Sequence, residues 1–384
     1  MKEDAKKPTF YLIDGSNYIY RAFYAIRELS NSKGFPTNAV YGVTTMLMRL
    51  IRERSPDYIA IAFDSKGPTF RHETYDQYKA TRKAMPDELI PQIPVIKDVV
   101  RGFSIPVLEK QGIEADDIIG TLAKESEQRG LQTVIVSGDK DFMQLVSHDV
   151  IMIDTMKDKT YDVDGVREYL GVGPESVKEL LGLAGDTSDN IPGVPGVGIK
   201  TARKLIDEYG TMERILENAG KVKNARIRKN LEEFADQALL SRDLATIRTD
   251  VDMDFDIEAF RVTEPDLKKL REIFAECEFS SLIQALNIEE EATGRQVHVI
   301  FNKGELDDLL RKLQTAEELA FEPALSSEEA MKAEIVGISL CISSREAFYI
   351  PIGHDYDDVP EQLKKDVVLG ALAPVLSDET IKKS

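Results

Sequence analysis

Thr9-Phe10-Tyr11-Leu12-Ile13-Asp14-Gly15-Ser16 is an unbroken apolar run that ends on a carboxylate and a turn residue. The plan returns three times: Tyr58-Ile-Ala-Ile-Ala-Phe63 before Asp64, Thr133-Val-Ile-Val136 before Ser137-Gly138-Asp139, and Val150-Ile-Met-Ile153 before Asp154. Short apolar runs without polar alternation read as strands buried on both faces, the kind found in parallel sheets. Helical patterns over 41–54, 91–101, 115–129 and 140–145 separate them, so helices are expected on both faces of the sheet. Ligands of such folds sit beyond the carboxyl ends of the strands, which is where these aspartates fall.

After Gly173 the strand signal stops. Helices are expected over 175–183, 200–209, 212–218, 225–248 and 264–277. The charged, turn-prone stretch Glu289-Glu-Glu-Ala-Thr-Gly-Arg295 reads as a linker. Beyond it, apolar runs over 297–301, 319–321, 335–342 and 347–352 suggest a small α/β or α+β module. The expected division is therefore 1–173, 174–290 and 291–384.

Composition sets the class. An apolar content of 42% and a charged content of 30% are ordinary for a globular protein. A net charge of −19 excludes a protein that coats nucleic acid through bulk positive charge. The charge is uneven, however. Residues 194–230 carry nine Lys/Arg against four Asp/Glu, whereas residues 285–384 carry ten against twenty. Two scattered cysteines, Cys277 and Cys341, make neither a disulfide framework nor a zinc site. The N-terminus lacks a secretory apolar region, and no stretch approaches the ~20 apolar residues of a membrane span. A cytoplasmic protein with no membrane partner is expected.

The chemistry lies in the acids. Glu114-Ala-Asp116-Asp117, Asp139-Lys-Asp141 and Asp186-Thr-Ser-Asp189 join Asp14 and Asp64. Any one of these is an ordinary helix cap or turn residue, but capping does not require three paired clusters. Nine converging carboxylates repel one another unless cations neutralise them. An all-oxygen ligand set suits Mg2+ or Mn2+, and paired metals of that class serve phosphodiester hydrolysis. The pattern points to a metal-dependent nuclease.

Two further segments fit that chemistry. Gly193-Val-Pro-Gly196-Val-Gly198-Ile-Lys200-Thr201-Ala-Arg203-Lys204 nearly matches a phosphate-binding P-loop, but Ile199 separates the glycine from the lysine and no strand precedes it. It reads better as a helix-hairpin-helix element, whose backbone N–H groups approach a DNA phosphate at a helix N-terminus while the cations add charge. In Phe70-Arg71-His72-Glu73-Thr-Tyr75-Asp-Gln-Tyr78-Lys79-Ala-Thr-Arg82-Lys83, basic and aromatic residues interleave. Lys79 and Arg82 are expected on one helical face toward a scissile phosphate, with Arg71 nearby and Tyr75 and Tyr78 stacking on an unpaired base. The alternative is a solvated helix with snorkelling cations. With four histidines and no Ser-His-Asp or Cys-His arrangement, a histidine-based mechanism is not expected.

Together the strand ending in Asp14-Gly15-Ser16, residues 70–82, Gly112-Ile-Glu114-Ala-Asp116-Asp117, Ser137-Gly-Asp139-Lys-Asp141 and the stretch from Gly185-Asp186 to Gly198 resemble the 5′→3′ exonuclease (flap endonuclease) domain of bacterial DNA polymerase I. The resemblance implies an α/β, PIN-like nuclease domain followed by a helix-three-turn-helix DNA-binding unit. It implies that Asp14, Asp64, Glu114, Asp116, Asp117, Asp139, Asp141, Asp186 and Asp189 hold two or more divalent ions, and that Lys79 and Arg82 steer the phosphate. It also implies that the 194–198 loop grips duplex DNA, in relatives with a bound K+ on main-chain carbonyls.

Residues 296–384 are similar to the opening of the same polymerase's 3′→5′ exonuclease domain, a ribonuclease H-like fold. They depart from it where that family has Asp-x-Glu: this chain has Phe321-Glu322-Pro-Ala324. Neither proofreading nor polymerisation is expected. The reading is a monomeric, nucleoid-associated 5′ nuclease acting on flaps, nicks and RNA-primed 5′ ends in replication and repair. Its rivals are a non-catalytic DNA-binding module, a PIN-type ribonuclease, and a phosphatase, which would want a second acid after Asp14.

Overall fold

A computed structural model describes residues 7–292, 296–316, 318–326, 333–343, 346–355, 359–378 and 380–383. It divides into two compact units, Met1–Phe279 and Ser280–Ser384.

The first unit begins with β1 (Thr9–Asp14), α1 (Gly15–Ala25), α2 (Asn38–Arg54), β2 (Tyr58–Ala62), α3 (Phe70–Thr74), α4 (Gln92–Gly102), β3 (Val107–Leu108), α5 (Ala115–Gln128), β4 (Gln132–Val136), β5 (Val150–Asp154) and β6 (Lys159–Tyr161). The strands form one sheet in the order β3-β2-β1-β4-β5-β6. Every pairing is parallel except β5 with β6. Phe10 and Leu12 pack with Ile118, Ile119 and Leu122 of α5, and the alternate residues Tyr11 and Ile13 are equally buried. A strand covered on both faces cannot alternate polar and apolar residues, which is why β1 reads as continuously apolar. The strand order reverses between β1 and β4, the kind of switch point that opens a crevice at the carboxyl edge.

Helices complete the unit: α6 (Val163–Leu170), α7 (Val177–Ala184), α8 (Ile199–Tyr209), α9 (Met212–Glu217), α10 (Ala225–Glu233), α11 (Ala235–Ala245) and α12 (Leu267–Glu276). The single helix expected over 225–248 is two, broken at Phe234. Neither Gly nor Pro calls for that break. It lets α11 pack along α7 while α10 stays beside the 194–198 loop, with Asn230 donating to the Pro195 carbonyl at 2.6 Å. One continuous apolar core runs from the sheet through Leu180, Leu205, Ile215 and Leu231.

The second unit comprises α13 (Ser280–Ala292), β7 (Gln296–Val299), α14 (Lys303–Leu313), β8 (Glu318–Leu325), β9 (Ile335–Ser343), β10 (Glu346–Pro351), α15 (Lys365–Leu376) and β11 (Lys382–Lys383). Its mixed sheet runs β11-β8-β9-β10-β7 and packs Leu340, Phe348 and Ile350 against Leu306, Leu309, Val368 and Leu372. The linker expected at 289–295 is corrected in its first part, because α13 continues through Ala292; residues 293–295 lie outside the described residues. Glu322 lies exposed on β8.

Asp154, the fourth strand-end acid, has a structural task. Its side chain is 1% exposed and receives Arg21 at 2.7 and 3.1 Å and Lys157 at 3.2 Å. The guanidinium lies so close to Gly138 that a Cβ there would fall 1.4 Å from it. Burial works to raise the Asp154 carboxyl, but Arg21 and Lys157 outweigh it and hold it down at about 2, below its ordinary 3.8. A depressed folded value means stability present above the unfolded value and lost as pH falls toward the folded one, worth about 2 kcal/mol at neutral pH. Urea unfolding of wild type and Asp154→Asn between pH 2 and 6 should show a constant gap above pH 4 that closes toward pH 2. A gap independent of pH would refute the pairing.

Candidate active site

Parallel register builds the rim. Asp14 lies opposite Ala62 of β2, and Ile13 opposite Val136 of β4, so Asp14, Asp64 and the Ser137–Asp139 turn leave adjacent strands at one edge. Asp14 caps α1, accepting from the Asn17 N–H at 2.9 Å, and accepts from Ser137 Oγ at 2.8 Å through its other oxygen. Asp64 accepts from the Ala115 N–H at 2.9 Å, which draws the first turn of α5, and with it Asp116, over the ends of β1 and β2. Asp139 caps the 3-10 turn Lys140–Leu145 by accepting from the Asp141 N–H at 3.0 Å. Asp186 and Asp189 arrive on the loop after α7, closed by the Asp186–Ile191 bridge.

The acids feel one another strongly. Burial, with Asp64 and Asp139, pushes Asp14 up to about 7 against the Asn17 and Ser137 donors. Burial, then Asp14, Asp139 and Asp64, raises Asp116 well above the carboxylate range. Burial raises Asp139 and Asp141, with Asp186 and Asp189 adding to it. Seven of the nine expected metal ligands thus share one electrostatic neighbourhood: Asp14, Asp64, Asp116, Asp139, Asp141, Asp186 and Asp189. Asp141 Oδ1 is buried with no hydrogen-bond partner, an acceptor left open for a cation.

Built-in cations face this cluster. Lys79 and Arg82 sit in turns after α3 and not on a shared helical face; Lys79 has φ 57° and donates its N–H to the Asp189 carbonyl at 2.9 Å. Lys79 Nζ donates to Glu114 at 2.9 Å, Arg82 to Asp189 at 2.5 Å, and Lys140 to Asp186 at 2.5 Å. With oxygens drawn toward side chains in this way, no group of three or more Asp, Glu, His or Cys residues among the described residues is closed up to hold an ion.

Several expected residues are placed elsewhere. Arg71 is 2% exposed and does not face DNA. It donates to both Asp117 oxygens at 2.7 and 2.8 Å, to Glu114 at 3.1 Å, and to the Leu244 and Thr246 carbonyls at 2.9 and 2.7 Å. Asp117, fully buried, also accepts from the Arg248 N–H at 2.8 Å, so its carboxylate is engaged away from the open cluster. Tyr78 is buried and cannot stack on a base; its hydroxyl, with one proton to donate, lies 3.2 Å from a Glu114 oxygen and 3.0 Å from an Asp189 oxygen. Tyr75 is half-buried against the core. In each case tertiary packing claims a side chain that the sequence presents as free.

The hairpin loop behaves similarly. Gly193 is structural: at φ 60°, with a Cβ position 2.3 Å from the Gly185 nitrogen, it donates to Ser241 Oγ at 3.0 Å and accepts from Gln237 at 2.6 Å. The Gly193 and Pro195 carbonyls therefore already have side-chain donors, which adds nothing to the K+ expectation. Gly196, Gly198, Lys200 and Lys204 are exposed, Thr201 is half-buried, and Arg203 lies against Gly171. Arg226, exposed on α10, reaches to within 3.7 Å of the Gly196 Cβ position.

Sequence reasoning missed three residues. Ser137 orients Asp14. Tyr20 and Tyr24, four apart on α1, stack at 6.5 Å with an 18° interplanar angle, and Tyr20 feels the charges of Arg82 and Asp64. Tyr24 is 66% exposed. The i,i+4 aromatic spacing after Asp14 was the available signal.

Removing Arg71 strands two buried carboxylates, which should cost about 3–5 kcal/mol. Arg71→Ala should lower the urea-derived unfolding free energy by that amount; a loss under about 1 kcal/mol would show that the cross-link is not needed.

Known proteins resemble this arrangement. Residues 9–171 match the family described as 5'-3' exonuclease, N-terminal resolvase-like domain, and residues 172–268 match 5'-3' exonuclease, C-terminal SAM fold. The chain is 42% identical over 386 residues to DNA polymerase I of Pseudomonas aeruginosa, covering 96% of this chain and 42% of that protein. It is 41% identical over 279 residues to the 5'-3' exonuclease of Aquifex aeolicus, covering 73% of this chain and 95% of that protein. The chain thus spans less than half the length of the DNA polymerase I relatives it matches. Among solved structures, T5 5'-exonuclease with bound zinc superposes with a TM-score of 0.54 at 21% identity, over 71% of this chain and 98% of that one. The catalytic core of Rad2 in complex with DNA substrate superposes at 0.51 and 18% identity, over 73% of this chain and 93% of that one. Among the described residues no helix is long and apolar enough to cross a membrane. By the match along nearly the full length of the Aquifex protein, together with both family matches, the chain belongs to the 5'-3' exonuclease family.

Proposed function

We propose that this chain hydrolyses phosphodiester bonds of DNA at 5′ ends, nicks and 5′ flaps, RNA-primed ends included, using Mg2+ or Mn2+ held by its carboxylate cluster. The observation that carries this reading is the set of seven mutually repelling carboxylates at the carboxyl edge of a parallel sheet, with Lys79 and Arg82 beside them. The residues fit a hard divalent ion. The donors are all oxygen, burial and neighbouring acids raise Asp14, Asp116, Asp139 and Asp141 in pKa, and Asp141 Oδ1 lacks a partner. Asp14, Asp64, Asp116, Asp139, Asp141, Asp186 and Asp189 are the ligand candidates, with Glu114 and Asp117 behind them. When bound, divalent ions supply an activated water and charge stabilisation on the leaving oxygen.

The chain's own side chains do the remaining work. Lys79 and Arg82 exchange Glu114 and Asp189 for the scissile phosphate, orienting it and offsetting its charge. Gly196 and Gly198 allow the duplex backbone close to the start of α8, where Lys200 and Lys204, with Arg226 from α10, contact phosphates without reading sequence. Tyr20 and Tyr24 offer faces to an unpaired base beside the cluster.

Cleavage of a 5′-labelled double-flap DNA tests the reading. With Mg2+, wild type should cut near the flap junction, and EDTA should abolish the cut. Asp116→Asn should remove activity, and Lys79→Ala should lower kcat about 10²–10³-fold. A wild type that binds the flap and leaves it intact would make the chain a binding module. On the same substrate, Tyr24→Ala should weaken binding about tenfold when the flap is single-stranded and leave fully paired DNA unaffected. Equal weakening on both would remove the stacking role.

A further inference from the structure

The two halves of the carboxylate cluster are neutralised in different ways. Among the described residues, Asp14 and Asp64 receive only neutral donors: the Asn17 N–H, Ser137 Oγ and the Ala115 N–H. Asp116 shares their neighbourhood, and Lys79, whose field reaches it, is bonded to Glu114. The other half contains its own cation. Lys140 stands between Asp139 and Asp141 in the chain and places Nζ 2.5 Å from Asp186 Oδ2. The Asp186 side chain is only 4% exposed, and its other oxygen accepts from the Ser188 N–H at 2.7 Å. A metal ion coming to this half meets an oxygen already held by an ammonium, on an acid with little solvent to take over its charge.

We propose that Lys140 is a resident counter-cation that competes with divalent metal at Asp186, so that the Asp139–Asp141–Asp186–Asp189 half binds an ion more weakly than the Asp14–Asp64–Asp116 half and fills after it. The inference rests on the reading of the cluster as a metal site. Its physical basis is direct. An ammonium and a divalent cation seek the same oxygen, and like charges a few ångströms apart in a partly desolvated site repel. Loading therefore requires Lys140 to swing off Asp186, and its half-exposed side chain, 39% accessible, has solvent to swing into. Asp141 Oδ1, buried and without a partner, marks the acceptor that remains open on this side while Asp186 is occupied. Lys140 is a positioning residue in this scheme: it touches a ligand acid and not the substrate.

Mn2+ binding to the full chain, followed by the electron paramagnetic resonance signal of the free ion, separates the alternatives without reference to cleavage. Wild type should show a tight and a weak class of sites. Lys140→Gln, which removes the charge and keeps a polar side chain, should tighten the weak class about tenfold and leave the tight class unchanged. Lys140→Arg, which keeps the charge, should stay close to wild type, and Asp186→Asn should lose the weak class. Circular dichroism of each variant checks that it is folded. Unchanged or weaker Mn2+ binding in a folded Lys140→Gln would overturn the competition and make Lys140 a support for Asp186. A wild type that binds no Mn2+ would overturn the metal reading of the cluster and this inference with it.

Discussion

Carboxylates at the ends of parallel strands are close together because the strands are, and no adjustment of side chains separates them. That repulsion is the constraint around which the first unit is organised. Adjacent strands lie about 4.8 Å apart, so Asp14, the turn leading to Asp64 and the turn leading to Asp139 are held within a few residues of one another by backbone pairing alone. Several of these acids are paired with built-in cations: Asp117 and Glu114 with Arg71, Glu114 also with Lys79, Asp189 with Arg82, Asp186 with Lys140 and Asp154 with Arg21. The pairs differ in permanence. Arg71 is buried and bidentate, whereas the Arg82 and Lys140 side chains are 49% and 39% accessible and can exchange partners.

Arg71 has a second consequence. It holds the first turn of α5 and the chain leaving α11 in one hydrogen-bond network, through Asp117 on one side and the Leu244 and Thr246 carbonyls on the other. The acids of the sheet edge and the helices that follow the hairpin loop are therefore parts of one body with a continuous core. A duplex seated on α8 and α10 would be placed relative to the cluster by packed side chains and not by a flexible linker. The cost is that these polar groups must all be satisfied at once, since a buried charge that loses its partner is strongly destabilising.

The negative overall charge and the proposed work on DNA are compatible because electrostatic attraction to phosphates is local. The cations of residues 194–230 are concentrated on α8, α10 and the segment between them, and most are exposed. The acidic excess of residues 285–384 belongs largely to the second unit.

How much of this the chain announces in one dimension can be judged residue by residue. Strand runs such as Thr9–Asp14 and the acids that follow them were legible, because burial on both faces imposes an apolar run and the site chemistry demands oxygen ligands. The α/β sheet, the helical second part and the family were therefore readable before any coordinates. The fate of individual side chains was not. Arg71, Tyr78 and Asp117 look like surface functional residues in sequence, and only the packing of α3 against α5 and the chain after α11 buries them. The single helix read over 225–248 breaks at Phe234 because α7 and the hairpin loop pull its two halves in different directions. Tyr20 and Tyr24 emerge as a stacked pair, Tyr24 exposed and Tyr20 half-buried, only when α1 is placed beside Arg82 and Asp64. Composition and periodicity record which environment a residue prefers, but which of several equally suitable partners it meets is decided by distant parts of the chain. That information exists only once the tertiary structure has formed.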